Sequence, residues 1–461
     1  MGGTWLPDEY WHGTFFNLPG SGDQELLINE DSAHVPADGH EYPAVTKAGS
    51  VARCVQTDAS ATAANQGEGF EVVTQDGVIY TLNHMVLWNQ PALKRATAGG
   101  MPSVAPTYNL PRWEYFLYPT KVMDRFGNTV DYIWNTSEPA QLLRIQSSDG
   151  RMIVFTYLAD GSNRIASVSD GTRTWDYTYG PPGASGNSTD TVRLPDGTQW
   201  SYRLASLHHM INQPSTTAVN CAGVAGVTQR TGFDDGSSGT TYTGSITGPS
   251  GASVTFSLAR VLFGRSHLAY NCVTDGDDSI TARPADPYLF MSAAVVGKTI
   301  TGPGLPAQGL HWSYVYGPTN NCWAGTYSQG VACTANSPTT RSVIVTDPDG
   351  SQTRYTFGNR ANVDEGLLYT TESGWNGSGA LRTTEITYAE PNTAPFGPFD
   401  GWSLRGNGDY AITSRIRPQR KVVTTQQGRS FVWEVASDCA GMPYCFDAFA
   451  RPTRVIRSST P

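Results

Sequence analysis

The run closest to a nucleotide-binding loop is Val296-Gly297-Lys298-Thr299, where a lysine and a hydroxyl follow a glycine as they do against phosphates. Ser292 stands where that loop needs its first glycine, and Gly302-Pro303 follows where a helix should begin, so phosphate binding is not expected. Eight histidines are scattered along the chain. His208-His209 is the one adjacent pair, but neighbours on a strand face opposite ways and would not share a metal. His34 and His40-Glu41 sit in polar turns, and Asp275-Gly276-Asp277-Asp278 gathers carboxylates without the calcium-loop spacing of an EF-hand. No Gly-x-Ser-x-Gly elbow occurs. The paired carboxylates of a glycosidase are defined by a tertiary separation that spacing does not reveal. The expectation is therefore no catalytic residue, no metal ligand, no cofactor and no enzyme activity, with a β-propeller-like glycoside hydrolase as the enzymatic alternative.

Cysteine offers the other reactive chemistry. Seven cysteines occur without any Cys-x-x-Cys pair, which argues against a zinc or dithiol motif. Cys322 and Cys333 bracket one small-residue loop and Cys439 and Cys445 another, so both are expected as disulfides, with Cys221 to Cys272 as a third. Bridges favour an oxidising compartment, while seven reduced thiols are the alternative.

Those side chains need elements to hold them, and composition says which. The 461 residues include 49 Gly, 29 Pro and 11% aromatics but only 15% charged residues, a turn-rich balance that leans to β structure. Net charge is −9 with no basic run, which disfavours nucleic acid as a partner. No apolar stretch of about 18 residues exists, so no membrane span is expected. Met1 to Pro7 lacks the charged and apolar regions of a leader, and the reading is a secreted or cell-surface protein whose signal peptide is not in this stretch.

An Asp-Gly or Asp-x-x-Gly turn followed by alternating aromatics recurs through the chain. Asp149-Gly150 leads to Phe155 and Tyr157; Asp170-Gly171 to Trp175, Tyr177 and Tyr179; Asp196-Gly197 to Trp200 and Tyr202; Asp349-Gly350 to Tyr355 and Phe357. Asp76-Gly77 with Tyr80 and Leu82, and Asp124 to Gly127 with Tyr132 and Trp134, are related copies. Rings two residues apart project from one face of a strand, while Thr156, Asp176, Thr178, Ser201 and Thr356 face the other way. Each unit predicts a hairpin with an aromatic stripe that only neighbouring hairpins can bury. A sugar-stacking platform is the competing use of such a stripe.

These turns and strands, with Asp124-Arg125-Phe126-Gly127-Asn128, Asp149-Gly150-Arg151 and the C-terminal Phe446-Asp447 to Ala450-Arg451-Pro452-Thr453-Arg454, resemble the YD-repeat or RHS family. Ala450 occupies the position where that unit carries glycine. The resemblance covers about 70 to 205 and 338 to 461 and is faint between them. It implies an all-β fold in which tandem hairpins form a spiralling antiparallel sheet, part of a hollow shell. It also implies a non-catalytic scaffold of a bacterial secreted protein, whose partners are the remainder of a longer chain and a C-terminal toxin. The family's core-end motif does not occur, so no autoprotease residues carry over.

The organisation expected is a cap at 1–70, repeats at 71–207, a β-rich insertion with long loops at 208–335, and further repeats at 336–461 that stop mid-unit with an unpaired edge near 447–457. The alternative function is a module binding glycans or cell surfaces.

Overall fold

The computed structural model describes residues 13–18, 22–29, 35–58, 67–94, 109–181, 188–207, 241–269, 272–273, 283–284, 289–325, 331–360, 363–390, 417–447 and 450–460. These residues are all-β apart from one helical turn at 205–207. Among them no helix is long and apolar enough to cross a membrane.

Twenty-five strands form one antiparallel sheet. Every strand of it pairs with the next one along the chain, from Phe15–Leu18 against Gly22–Ile28 to Arg429–Val435 against Val455–Thr460. The strands Tyr242–Thr247, Ser253–Gly264, Leu289–Thr301 and Leu310–Tyr316 run in the same succession. Val296 to Thr299 thus lies within a strand, without the helix a phosphate loop needs.

Glycine makes the sharp reversals. At Ser147 to Arg151 the Gly150 amide donates to the Ser147 carbonyl at 3.0 Å and Ser147 donates to Arg151 at 2.9 Å, with Gly150 at φ 90°. That is a type I turn closed by a left-handed bulge residue, a three-residue loop. The same bonds recur around Gly77, Gly127, Gly197, Gly251 and Gly350. Asp170 to Arg173 instead makes a two-residue loop, with Gly171 at φ 89° and Asp170 donating to Arg173 at 3.2 Å. One sequence signature therefore serves two loop lengths. In both, the Asp carboxylate accepts amide hydrogens from the following residues, as Asp149 does from Arg151 at 3.2 Å and Asp170 from Arg173 at 2.7 Å.

Cross-strand register sorts the two faces. Phe155, Val168 and Trp175 form one row, and Tyr177, Val192 and Trp200 another. The opposite face carries hydroxyls: Thr156 meets Ser167 at 2.7 Å and Thr247 meets Ser253 at 3.0 Å. The rings were expected to be buried, and the structure corrects this. Phe155, Tyr157, Trp175, Tyr177, Tyr179, Tyr202, Tyr355 and Phe357 are half-buried, and Trp200 is 39% exposed. Valines separate the rings within each row, at Val168 and Val192.

Fully buried side chains include Leu268, Cys322 and Trp323 midway along the chain, and they gather into apolar clusters near both ends. Phe16, Leu26, Ala44, Ala52 and Val72 pack together, as do Leu27, Tyr42, Val45 and Val51. At the other end Val435, Ala436, Cys445, Phe446 and Ala450 form a cluster. The edge is also corrected: 447–451 closes a further tight turn, and Val455–Thr460 is the edge, exposed along its length and paired, among the described residues, only with Arg429–Val435.

Candidate functional site

A strict meander places alternate connections on opposite rims of a sheet. Here the tight turns at 46–50, 74–78, 124–128, 147–151, 170–173, 194–198, 248–252, 347–351 and 427–428 share one rim. The longest connections share the other, and the polar clusters collect on that loop rim.

The strands are shaped where they approach it. A register shift falls at Ile133/Trp134, Thr156/Tyr157, Ser257/Leu258, Thr356/Phe357 and Thr387/Tyr388, in each case where one hairpin pairs with the next. A bulge bends a strand and sharpens its twist, so bulges repeated at one rim curl the whole sheet. Beside them, hydroxyls seal the open hairpin ends. Tyr157 donates to the Leu142 carbonyl at 2.9 Å, Tyr179 to Ile165 at 2.9 Å, Tyr316 to Val295 at 2.9 Å and Tyr388 to Leu368 at 2.8 Å. Burial raises the pKa of all four phenols.

One rim cluster is built on His84, which is 2% exposed. Its ring nitrogens face the Asp58 carboxylate and the Pro139 carbonyl, each at 2.7 Å, and its ring stacks on Trp134 at 4.4 Å between centroids. Tyr118 and Phe116 continue the ring contacts outward. There the long hairpin Ile79–Lys94 and Asn109–Met123 outruns its neighbours and exposes Trp88, Trp113 and Tyr115.

The second cluster joins three rim connections. Ser266, fully buried, donates to Asn359 at 2.9 Å, and Asn359 donates to the Thr319 and Asn320 carbonyls at 3.2 and 3.0 Å. Asp364 is the one buried carboxylate among the described residues, and it is taken by the Arg360 guanidinium, the Arg360 amide and the Tyr369 hydroxyl. Burial first and the Asp364 bond second push the Tyr369 phenol up. Such a carboxylate is a structural acceptor with no free oxygen to act as an acid or base. The Cys322–Cys333 disulfide closes this cluster, with S–S 2.00 Å, and His267 lies against it.

Two turns distant in sequence also meet. Arg451 Nη1 lies 3.4 Å from where a Cβ on Gly49 would stand. Lys47 is open to water along part of its length, yet its ammonium is held below the ordinary lysine range, chiefly by desolvation, with Arg451 adding and Asp447 opposing. The turn at 46–50 belongs to the tight rim and 447–451 to the loop rim.

The expected disulfides Cys322–Cys333 and Cys439–Cys445 are present. Cys221, His34, His208, His209 and Asp275 to Asp278 lie outside the described residues, and Cys272 is described only as part of a short strand pairing with Arg283–Pro284. His40 is an exposed turn residue whose amide donates to Asp38. Sequence reasoning missed His84, His267, Asn359 and Asp364. Each acts through partners 4 to 93 positions away, and only Arg360 to Asp364 left a short-range signal.

No known family profile matches the chain, and no curated protein matches it by sequence. Among solved structures, the crystal structure of TcdB2-TccC3-TEV aligns over 93% of this chain and 23% of its own, at 9% identity and a TM-score of 0.16. The chain spans less than a quarter of that protein, and so loose an alignment carries no argument about its role.

Proposed function

We propose that this chain is a non-catalytic wall: a YD/RHS-type repeat scaffold of a bacterial secreted or surface-delivered protein, forming part of a shell that encloses or presents a C-terminal toxin or effector. The observation that carries this reading is the contact of the 46–50 turn with the 447–451 turn across most of the chain. With strands roughly 4.8 Å apart, the sheet between those turns makes a wall of about 100 Å, enough for a ring about 30 Å across. A face rich in hydroxyls and a saturated buried carboxylate suit a container better than a catalyst.

Zero-length carbodiimide coupling tests the closure, because it joins an amine to a carboxylate only on contact. The expected product is a Lys47 to Asp447 cross-linked peptide in the monomer. Its absence, together with digestion by protease of a marker polypeptide fused after Pro461 at the rate of the free marker, would remove the shell reading.

The glycan-binding alternative has one observation in its favour, the exposed Trp88, Trp113 and Tyr115 on the projecting hairpin. Retention on immobilised glycans that is lost in Trp113→Ala would move the assignment to that module.

A further inference from the structure

We infer that the Cys322–Cys333 disulfide and His267 form a redox-gated metal site: a covalent staple when oxidised, and a three-ligand site for zinc or a similar thiophilic cation when reduced. Among the described residues His267, Cys322 and Cys333 are the one group of three potential ligands, with donor atoms all within 4.8 Å of one another. His267 Nδ1 lies 3.9 Å from Cys322 Sγ, and the His267 amide donates to the same sulfur at 3.4 Å. A thiolate at Cys322 would keep that amide bond, which favours the charged sulfur a metal requires.

The histidine is held there by its surroundings. It adopts φ 52°, a left-handed conformation uncommon outside glycine, and is fixed between buried Ser266, bonded to Asn359, and Leu268, which pairs with Trp323 next to Cys322. Strain sustained by its neighbours on both sides is a pointer to a site. The Cα atoms of the two cysteines are 5.0 Å apart. Thiolates bound at about 2.3 Å in a tetrahedron stand about 3.8 Å apart, which side-chain rotation at that Cα spacing can supply.

The chemistry balances as two steps. A phosphine and one water reduce the disulfide, giving two thiols and the phosphine oxide; a cellular dithiol does the same and becomes a disulfide itself. A divalent zinc then displaces the two thiol protons and takes the Nδ1 lone pair of a neutral imidazole. The fourth position stays open. The loop rim would remain pinned when the protein passes from an oxidising to a reducing compartment, because a metal replaces the bond that reduction breaks.

The test uses the full chain and cobalt(II) as the probe, in a Cys54→Ser, Cys221→Ser, Cys272→Ser, Cys439→Ala, Cys445→Ala background, before and after phosphine reduction without oxygen. The expected result is one cobalt with thiolate charge-transfer and tetrahedral d–d bands, seen only after reduction, with affinity at least tenfold weaker in His267→Ala. The β-sheet circular dichroism should be unchanged by reduction in the presence of metal. The same titration repeated in the otherwise unaltered chain guards against misfolding of the background. Absence of the bands in both chains, the bands in the oxidised chain, an effect of His267→Ala under twofold, or collapse of the sheet on reduction with metal present would each overturn the proposal.

Discussion

Tyr157 donates its hydroxyl to the carbonyl of Leu142 across 2.9 Å, tying the last residue of one strand to the first residue of its hairpin partner. Tyr388 repeats this with Leu368 at 2.8 Å. The latch sits next to the register shift between its hairpin and the following one, so one residue closes the hairpin and marks the bend. Removing the hydroxyl alone should cost about 0.5–1.5 kcal/mol, toward the lower end because these half-buried sites admit water. Tyr157→Phe and Tyr388→Phe are expected to lower the urea midpoint and to speed amide exchange in their own hairpins only. Exchange that quickens across the whole sheet would mean the latch is not local.

Ala450 takes the bulge position of a tight turn at φ 56°, where the other units place glycine. Its methyl is nonetheless buried in the C-terminal cluster. Ala450→Gly relieves about 1–2 kcal/mol of left-handed strain. It also gives up about 0.8 kcal/mol of methyl burial and adds about 0.5–1 kcal/mol of unfolded-chain entropy. Stability should move by less than about 1 kcal/mol. Gly350→Ala gains no methyl burial, since nothing lies within 4 Å of the added Cβ; its strain of about 1–2 kcal/mol is offset only by about 0.5–1 kcal/mol of unfolded-chain entropy, so it should destabilise by about 0.5–1 kcal/mol. Denaturation of the two variants side by side checks the contrast.

Gln427 and Gly428 form a two-residue loop with φ 52° and 75°, the type I′ geometry for which Asn-Gly is the preferred pair. Gln427→Asn should stabilise by about 0.5 kcal/mol, and Gln427→Val should destabilise by about 1–2 kcal/mol because a β-branched residue resists positive φ. Equal midpoints for both variants would contradict the turn assignment.

Acid should loosen turns on both rims. Asp149, Asp160 and Asp170 are each held down to about 2, chiefly by the Arg151 side chain, the Ser162 side chain and the Arg173 amide respectively. Folded values below the model-peptide value of 3.8 mean the contribution is complete above that pH and disappears as pH falls through about 2. The gap in urea midpoint between the parent chain and Asp149→Asn/Asp160→Asn/Asp170→Asn should be widest above pH 5 and close toward pH 2. A gap independent of pH would assign the effect to turn geometry rather than charge.

Much of the local architecture is legible along the chain. The Asp149-Gly150 and Asp349-Gly350 turns form where the dipeptides stand, and Thr156 and Tyr157 take opposite faces as alternation requires. Both disulfides close short loops, 11 and 6 residues apart. Burial was harder to read, because period two says that Trp175 and Trp200 share the ring-bearing face of their strands but not whether a second layer covers that face.

The turns, the strand alternation, the all-β class and the two short bridges are thus properties of the sequence itself, since each is decided by residues within one hairpin and by the steric preferences of glycine and aspartate. The register shifts that bend successive strands, the approach of Arg451 to Gly49, the bond from Tyr157 to a backbone carbonyl and the seat of His267 beside Cys322 belong to tertiary structure alone. The reason is physical: twist and bulge accumulate over some twenty strands, and a carbonyl that accepts a bond has no side chain by which the sequence could announce it.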